Sequence, residues 1–410
     1  MTETTTEVRP AATHQPAAGT SLPFRPDIEG LRAVAVLLVV LFHAGVPGIG
    51  GGYLGVDVFF VISGFLITTL MLRELDRTGR LSLLRFYGRR ARRILPAAGL
   101  VLVATILASY HWLGFLRADE IAEDGRWAAL FASNFRFAGQ GVDYLASQDP
   151  PSPVQHFWSL AVEEQFYFVW PAALVLLIWL GFRWALPYAL GAAVAASFAY
   201  SVWQTGTTWS YFSPATRAWE LGVGCLLAVA AGRLRRIPAR IATAMAGVGL
   251  ALIVVGALTF DTATAFPGYA AALPVLATAL VLAGRGDALL GRRPLQWLGR
   301  LSYSFYLWHW PVLMIAEQAH GGPLPAWVRA ALVLGSLALA AVTYACVEDP
   351  IRRSARLKRS HVLTAMVAVL LIVAPVAVAQ WKTATSPAAD AGRGPEHQPR
   401  LGAPVAHVQP

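Results

Sequence analysis

The stretch RPDIEGLRAVAVLLVVLFHAGVPG, residues 25–48, sets the terms on which the rest of the chain is read. Its ten residues from Ala33 to Phe42 are apolar without a break, and with their flanks they make a run over 29–46. A helix needs roughly 17–25 such residues to cross a bilayer core. Arg32 and His43 bracket the apolar centre. Eleven residues apart, they turn through about 1100° on a helix of 3.6 residues per turn, so they share a face about 16 Å apart along the axis. A charge inside hydrocarbon costs at least about 2.5–3.5 kcal/mol, so such groups line cavities or pair. Two other readings are open here: Arg32 can snorkel to the cytoplasmic surface, and His43 can cap the outer end.

Ten further runs follow, over 53–72, 95–116, 158–181, 184–203, 214–231, 239–259, 268–284, 301–319, 326–347 and 361–380, of which 214–231 and 268–284 are short. Residues 126–139 are too polar and brief to span and suit an interfacial or re-entrant piece. The expected fold is therefore all-α: a polytopic membrane helix bundle of about ten core helices with an eleventh near the C-terminus. Composition agrees, at 56% hydrophobic and 14% charged residues with a mean hydropathy of +0.53. Soluble domains carry about 25% charge. An ordinary soluble enzyme, a disordered chain and a collagen-like one are excluded.

The net charge of +10 would allow a nucleic-acid partner, but the charge sits in short clusters between apolar runs, as orientation signals do. No nucleic-acid partner is expected. With the N-terminus inside, 25 of the 33 Lys and Arg residues fall on one side. That bias predicts a cytoplasmic N-terminus and an extracytoplasmic C-terminus, and one misplaced span in the middle would destroy it. Residues 1–24 are expected to be disordered, without a cleavable signal, and 381–410 to form a flexible tail or linker. Cys225 and Cys346 lie in apolar segments without ligand spacing and are expected as buried thiols, with no metal site.

Several ionisable groups interrupt the apolar runs. Asp57 falls in the first turns of the second run, where a helix N-terminus favours an anion, and stands on the side where it could approach His43. Arg89, Arg90, Arg92 and Arg93 crowd a loop at the cytoplasmic mouth of the third run, where they suit phosphate, anionic lipid or orientation alone. In QHFWSLAVEEQFYFVWP, His156 and Trp158 precede the adjacent Glu163 and Glu164. Adjacent residues point about 100° apart on a helix, so at least one carboxylate must face a polar interior. Trp158 and Tyr167 also fit an interface belt. Arg217 and Glu220, three apart, can pair on one helix face. His309, among Tyr303, Tyr306, Trp308 and Trp310, reads as a belt histidine.

Taken together, the segments RPDIEGLRAVAVLLVVLFHA, GGYLGVDVFFVISGFLIT, FYGRRARRILPA, HFWSLAVEEQFYFVWP, RAWELGVG, LGRLSYSFYLWHWP and VEDPIRR resemble, in order, the acyltransferase 3 family of integral membrane O-acyltransferases. The resemblance implies a membrane domain over 25–353 and an additional helix within 354–380. It also implies that Arg32 and His43 are the Arg-x10-His pair on which activity depends, and that the Arg89–Arg93 cluster handles the acyl donor. The donor implied is cytoplasmic acyl-CoA, by default acetyl-CoA, with no permanently bound cofactor. The acceptor implied is a carbohydrate hydroxyl of the cell envelope, at the outer face of a bacterial inner membrane. Many members continue into an SGNH-type extracytoplasmic domain, so such a domain or a separate protein of that type is a further expected partner.

His43 is then the candidate base or acylated nucleophile, oriented by Asp57 or Glu163, with Arg32 stabilising the donor. A tunnel is expected from the arginine-lined entrance to His43. A proton-coupled transporter or glycan exporter, using the same ionisable groups as a relay, is the alternative.

Overall fold

A computed structural model describes residues 25–141, 145 and 150–386; the leader 1–24 and residues 387–410 of the expected tail lie outside them. No strand occurs among the described residues. The helices that carry the expected runs are α1 (Pro26–His43), α2 (Gly55–Thr78), α3 (Leu83–Trp112), α4 (Phe157–Trp179), α5 (Leu186–Trp203), α6 (Pro214–Leu234), α7 (Ala239–Thr259), α8 (Ala272–Gly284), α9 (Arg293–His320), α10 (Ala326–Thr343) and α11 (His361–Ala384). Each expected run falls on one of them. The fold is an all-α polytopic membrane bundle.

Seven of these helices, namely α2, α3, α4, α5, α7, α10 and α11, are long and apolar enough to cross a membrane by length and composition. Three of the other four also carry ionisable groups inward: α1 with Arg32 and His43, α6 with Arg217 and Glu220, and α9 with His309. The fourth, α8, has 13 residues, about 20 Å of helix against a core of about 30 Å. It packs on α7 and α2. Burial separates centre from rim. The most apolar window of α2 is 72% buried, while those of α5, α10 and α11 are 17% buried.

Two glycine contacts set the central register. A Cβ on Gly64 of α2 would lie 1.9 Å from the Leu221 carbonyl oxygen of α6, and one on Gly224 would lie 2.1 Å from that of Val61. Small residues let membrane helices close to backbone contact, and here that closeness sets Asp57 against Arg217. Likewise, a Cβ on Gly299 of α9 would lie 1.9 Å from the Glu29 carbonyl oxygen of α1. The α1–α9 seam carries His43 and His309.

Three expectations change. The basic segment at 89–93 is helix, not loop, because α3 begins at Leu83, where the Arg85 amide donates to Ser82 Oγ (3.3 Å) as an N-cap. Cys225 is buried but Cys346 is exposed, since it follows the rim helix α10. Trp381, expected to open the tail, still belongs to α11. Residues 126–139 fall on two short helices, Phe115–Ala129 and Ser133–Gly139, neither of spanning length. Gln165 of α4 holds them by donating to the Phe131 carbonyl (2.8 Å) and to Asn134 Oδ1 (2.9 Å).

Candidate active site

The C-terminal residue of α1, His43, meets α9 rather than lipid. Its Nδ1 lies 2.9 Å from Nε2 of His309, with the two rings within 8° of parallel. Trp310 packs edge-on against His43 at 4.3 Å between ring centroids. His309 is fully buried, and its Nδ1 faces the carbonyls of Tyr306 (2.6 Å) and Phe305 (3.2 Å). The belt reading of His309 is therefore wrong: the ring points into the bundle. His156, also fully buried, completes a group of three, its ring 5.9 Å from that of His309.

Pro311 explains how His156 is held. A proline has no amide N–H, so the carbonyl four residues earlier loses its helical donor. That carbonyl belongs to Leu307, and His156 Nε2 donates to it at 3.2 Å. His43 Nδ1 thus engages His309 Nε2, while His309 Nδ1 and His156 Nε2 turn to backbone carbonyls of α9. Among the described residues no group of three or more His, Cys, Asp or Glu is arranged to hold a metal ion.

Asp57 does not orient His43, and neither does Glu163. Asp57 Oδ1 stands 3.2 Å from Arg217 Nη1, which also reaches Glu220 Oε1 at 2.9 Å, and all three side chains are fully buried. Rings of Phe60, Trp158, Tyr211 and Phe266 surround the guanidinium at 5.3–5.6 Å, a cation–π distance. The Arg217–Glu220 pairing holds as expected, and Asp57 joins it because α2 and α6 touch at Gly64 and Gly224. Trp158 belongs to this nest rather than to an interface belt, being fully buried.

Below both groups lies a cavity of about 1190 Å³ whose lining includes eleven arginines and five carboxylates. Small-ligand clefts run to roughly 300–1,000 Å³, so a large anionic molecule fits. Its arginines include Arg32 of α1, Arg73 of α2, Arg90 and Arg93 of α3, Arg300 of α9 and Arg352 beyond α10. These come from helix ends that the alternating direction of successive helices places together.

Helical geometry sorts the four neighbouring arginines. Arg90 and Arg93, three apart, share the face that lines the cavity. Arg89 turns to Glu74 (3.0 Å), and Arg92 donates to the Leu357 carbonyl (3.3 Å) and to Thr364 Oγ1 (3.2 Å), against α11. Arg90 Nη2 binds Glu164 Oε1 at 2.5 Å and stacks 3.7 Å over the Tyr167 ring. Glu163 lines the cavity and accepts from Ser63 Oγ (2.8 Å) and Tyr167 OH (2.5 Å). Tyr167 is thereby buried, not an interface anchor. Arg32 pairs with Glu29 at 3.3 Å, while Arg93 has no ion pair among the described residues.

Glu348 is the cavity residue that sequence reasoning missed. It is buried, lines the cavity and accepts from Ser304 Oγ at 2.8 Å. It closes a π-helical turn, Tyr344–Glu348, a distortion that recurs at functional sites. The signal was a carboxylate just past the tenth apolar run.

The cavity stops short of the histidines. Tyr306 and Ser159 line its deep end, their hydroxyls 2.8 Å apart, and Tyr306 OH also donates to the His156 carbonyl at 3.0 Å. His43 is not part of the lining, so the expected tunnel is interrupted by one layer of side chains.

A family model described as an acyltransferase domain matches residues 25–345, which contain the histidines, the buried ion nest and all of the cavity's arginines except Arg352 and Arg353. The chain belongs to the acyltransferase 3 family. The peptidoglycan O-acetyltransferase OatA of Listeria monocytogenes is 32% identical over 364 residues, 82% of this chain and 57% of that protein. The O-acetyltransferase OatA of Staphylococcus aureus is 31% identical over 358 residues, 80% of this chain and 57% of that protein. The chain thus spans a little over half the length of these acyltransferase 3 relatives. No solved structure matches it.

Proposed function

We propose that this protein is a membrane O-acyltransferase that moves an acyl group, by default acetyl, from cytoplasmic acyl-CoA to a hydroxyl of a cell-wall glycan. The observation that carries the reading is the pairing of an arginine-lined cavity at one end of the bundle with a histidine group at the other. Guanidinium forks match phosphate oxygens, and CoA presents several phosphates on a long flexible thiol arm. The Lys and Arg bias supports a cytoplasmic cavity mouth, with the N-terminus inside and the C-terminus outside, in a bacterial inner membrane. The activity for which the Listeria relative is named, peptidoglycan O-acetylation, supports the acceptor class.

In this proposal Arg93, Arg32 and Arg90 hold the donor phosphates. The thioester advances to the layer formed by Tyr306 and Ser159, which parts to admit it. His43 then takes the proton of the acceptor hydroxyl while the hydroxyl oxygen bonds the acyl carbon; neutral imidazole suits that task near neutral pH. The C–S bond breaks, and the thiolate leaves with a proton as free CoA. Residues 25–353 act as the transferase unit, α11 crosses the membrane once more, and an SGNH-type domain or protein is a further partner at the outer face.

Purified protein in detergent should release free thiol from acetyl-CoA faster when a muropeptide acceptor is added, with acetylated product seen by mass spectrometry. No thiol release, with proton-driven solute flux in vesicles instead, would replace this reading with transport.

A further inference from the structure

We infer that His309 is a positioning residue that fixes which nitrogen of His43 bears the lone pair. The inference rests on the acyl-transfer reading for its use, but on the backbone for its logic. Carbonyl oxygens only accept, so the carbonyls of Tyr306 (2.6 Å) and Phe305 (3.2 Å) require a proton on His309 Nδ1. His309 is fully buried among the rings of His43, His156, Phe305 and Tyr306. An imidazolium there would be a desolvated charge, so the ring is neutral and its Nε2 carries the lone pair.

His43 Nδ1 stands 2.9 Å from that lone pair, so Nδ1 of His43 is the donor. A neutral imidazole has one N–H. The lone pair of His43 is therefore on Nε2, and that atom takes the hydroxyl proton: the O–H bond breaks as the Nε2–H bond forms, and the proton passes on to the departing thiolate. While His43 is protonated, its Nδ1–H still points at the His309 lone pair. The acceptor that faces Nδ1 of the base is thus a neutral ring.

Two variants and one spectrum test this. His309→Phe keeps a ring but removes the acceptor, and should lower kcat about 10²–10⁴-fold, in the range of other wrong-tautomer lesions, with the KM for acetyl-CoA unchanged. His309→Gln sets an amide oxygen near the former Nε2 and should recover to within about tenfold of wild type. In 15N-histidine-labelled wild-type protein, the His43 signals, assigned by their loss in His43→Gln, should show protonated Nδ1 and unprotonated Nε2. Wild-type kcat in His309→Phe, or a His43 spectrum with the proton on Nε2, overturns the inference. The spectrum needs no turnover, so an inactive wild-type preparation overturns the acyl-transfer reading while the tautomer is still decided.

Discussion

At the arginine end, Arg93 stands beside a cavity with no carboxylate in ion-pair reach among the described residues, and Arg32 keeps only a 3.3 Å contact with Glu29. At the histidine end, His43, His309 and His156 are packed ring to ring; His43 Nδ1 meets His309 Nε2, and His309 Nδ1 and His156 Nε2 meet carbonyls of α9. The first region leaves charge unsatisfied and accessible, which suits capture of an anion. The second consumes nearly every polar atom internally, which suits holding one base in one orientation. Between them stand the hydroxyls of Tyr306 and Ser159, 2.8 Å apart. Binding and chemistry are therefore separable here by mutation, and experiments that fail to separate them would break the comparison.

The largest effect is expected at the histidine end. His43→Ala should lower kcat about 10³–10⁴-fold, the scale of losing a positioned base, while the Kd for acetyl-CoA, measured by calorimetry, stays unchanged. Next comes Arg93→Ala, which should weaken donor binding about 10–100-fold, as loss of a charge-assisted contact of about 1.5–3 kcal/mol implies. Its Kd should also rise less steeply with salt than that of the wild type, since one fewer charge contact remains to be screened.

Tyr306→Phe removes two hydrogen bonds from the dividing layer. Thiol release without any acceptor should rise about 2–10-fold, the equivalent of about 0.5–1.5 kcal/mol. Smallest of all is Arg89→Ala, whose side chain turns to Glu74 rather than to the cavity. Donor Kd should change less than about threefold, since an exposed ion pair contributes about 0–1 kcal/mol. A larger loss for Arg89→Ala than for Arg93→Ala would show that the helical sorting of these arginines does not govern capture.

The spans were legible because lipid imposes long apolar runs, and all eleven became helices. Ionisable interruptions were legible for the same reason, as positions that hydrocarbon penalises. Partner choice was not. Asp57 was expected beside His43 because both lie near one end, yet backbone contact at Gly64 and Gly224 gives it to Arg217 instead. His309 looked like a belt residue because composition records neighbours along the chain, not the α1–α9 seam that turns it inward. The arginine segment read as loop because it precedes the apolar run at 95–116, whereas Ser82 caps a helix that already begins at Leu83. Pro311 was visible all along, but only the fold reveals which ring donates to the carbonyl it frees.

The basic cavity draws its arginines from segments spread between Arg25 and Arg353. A partly inserted chain therefore has scattered cations, and the cavity is completed only once the segment beyond α10 that carries Arg352 and Arg353 has joined the rest.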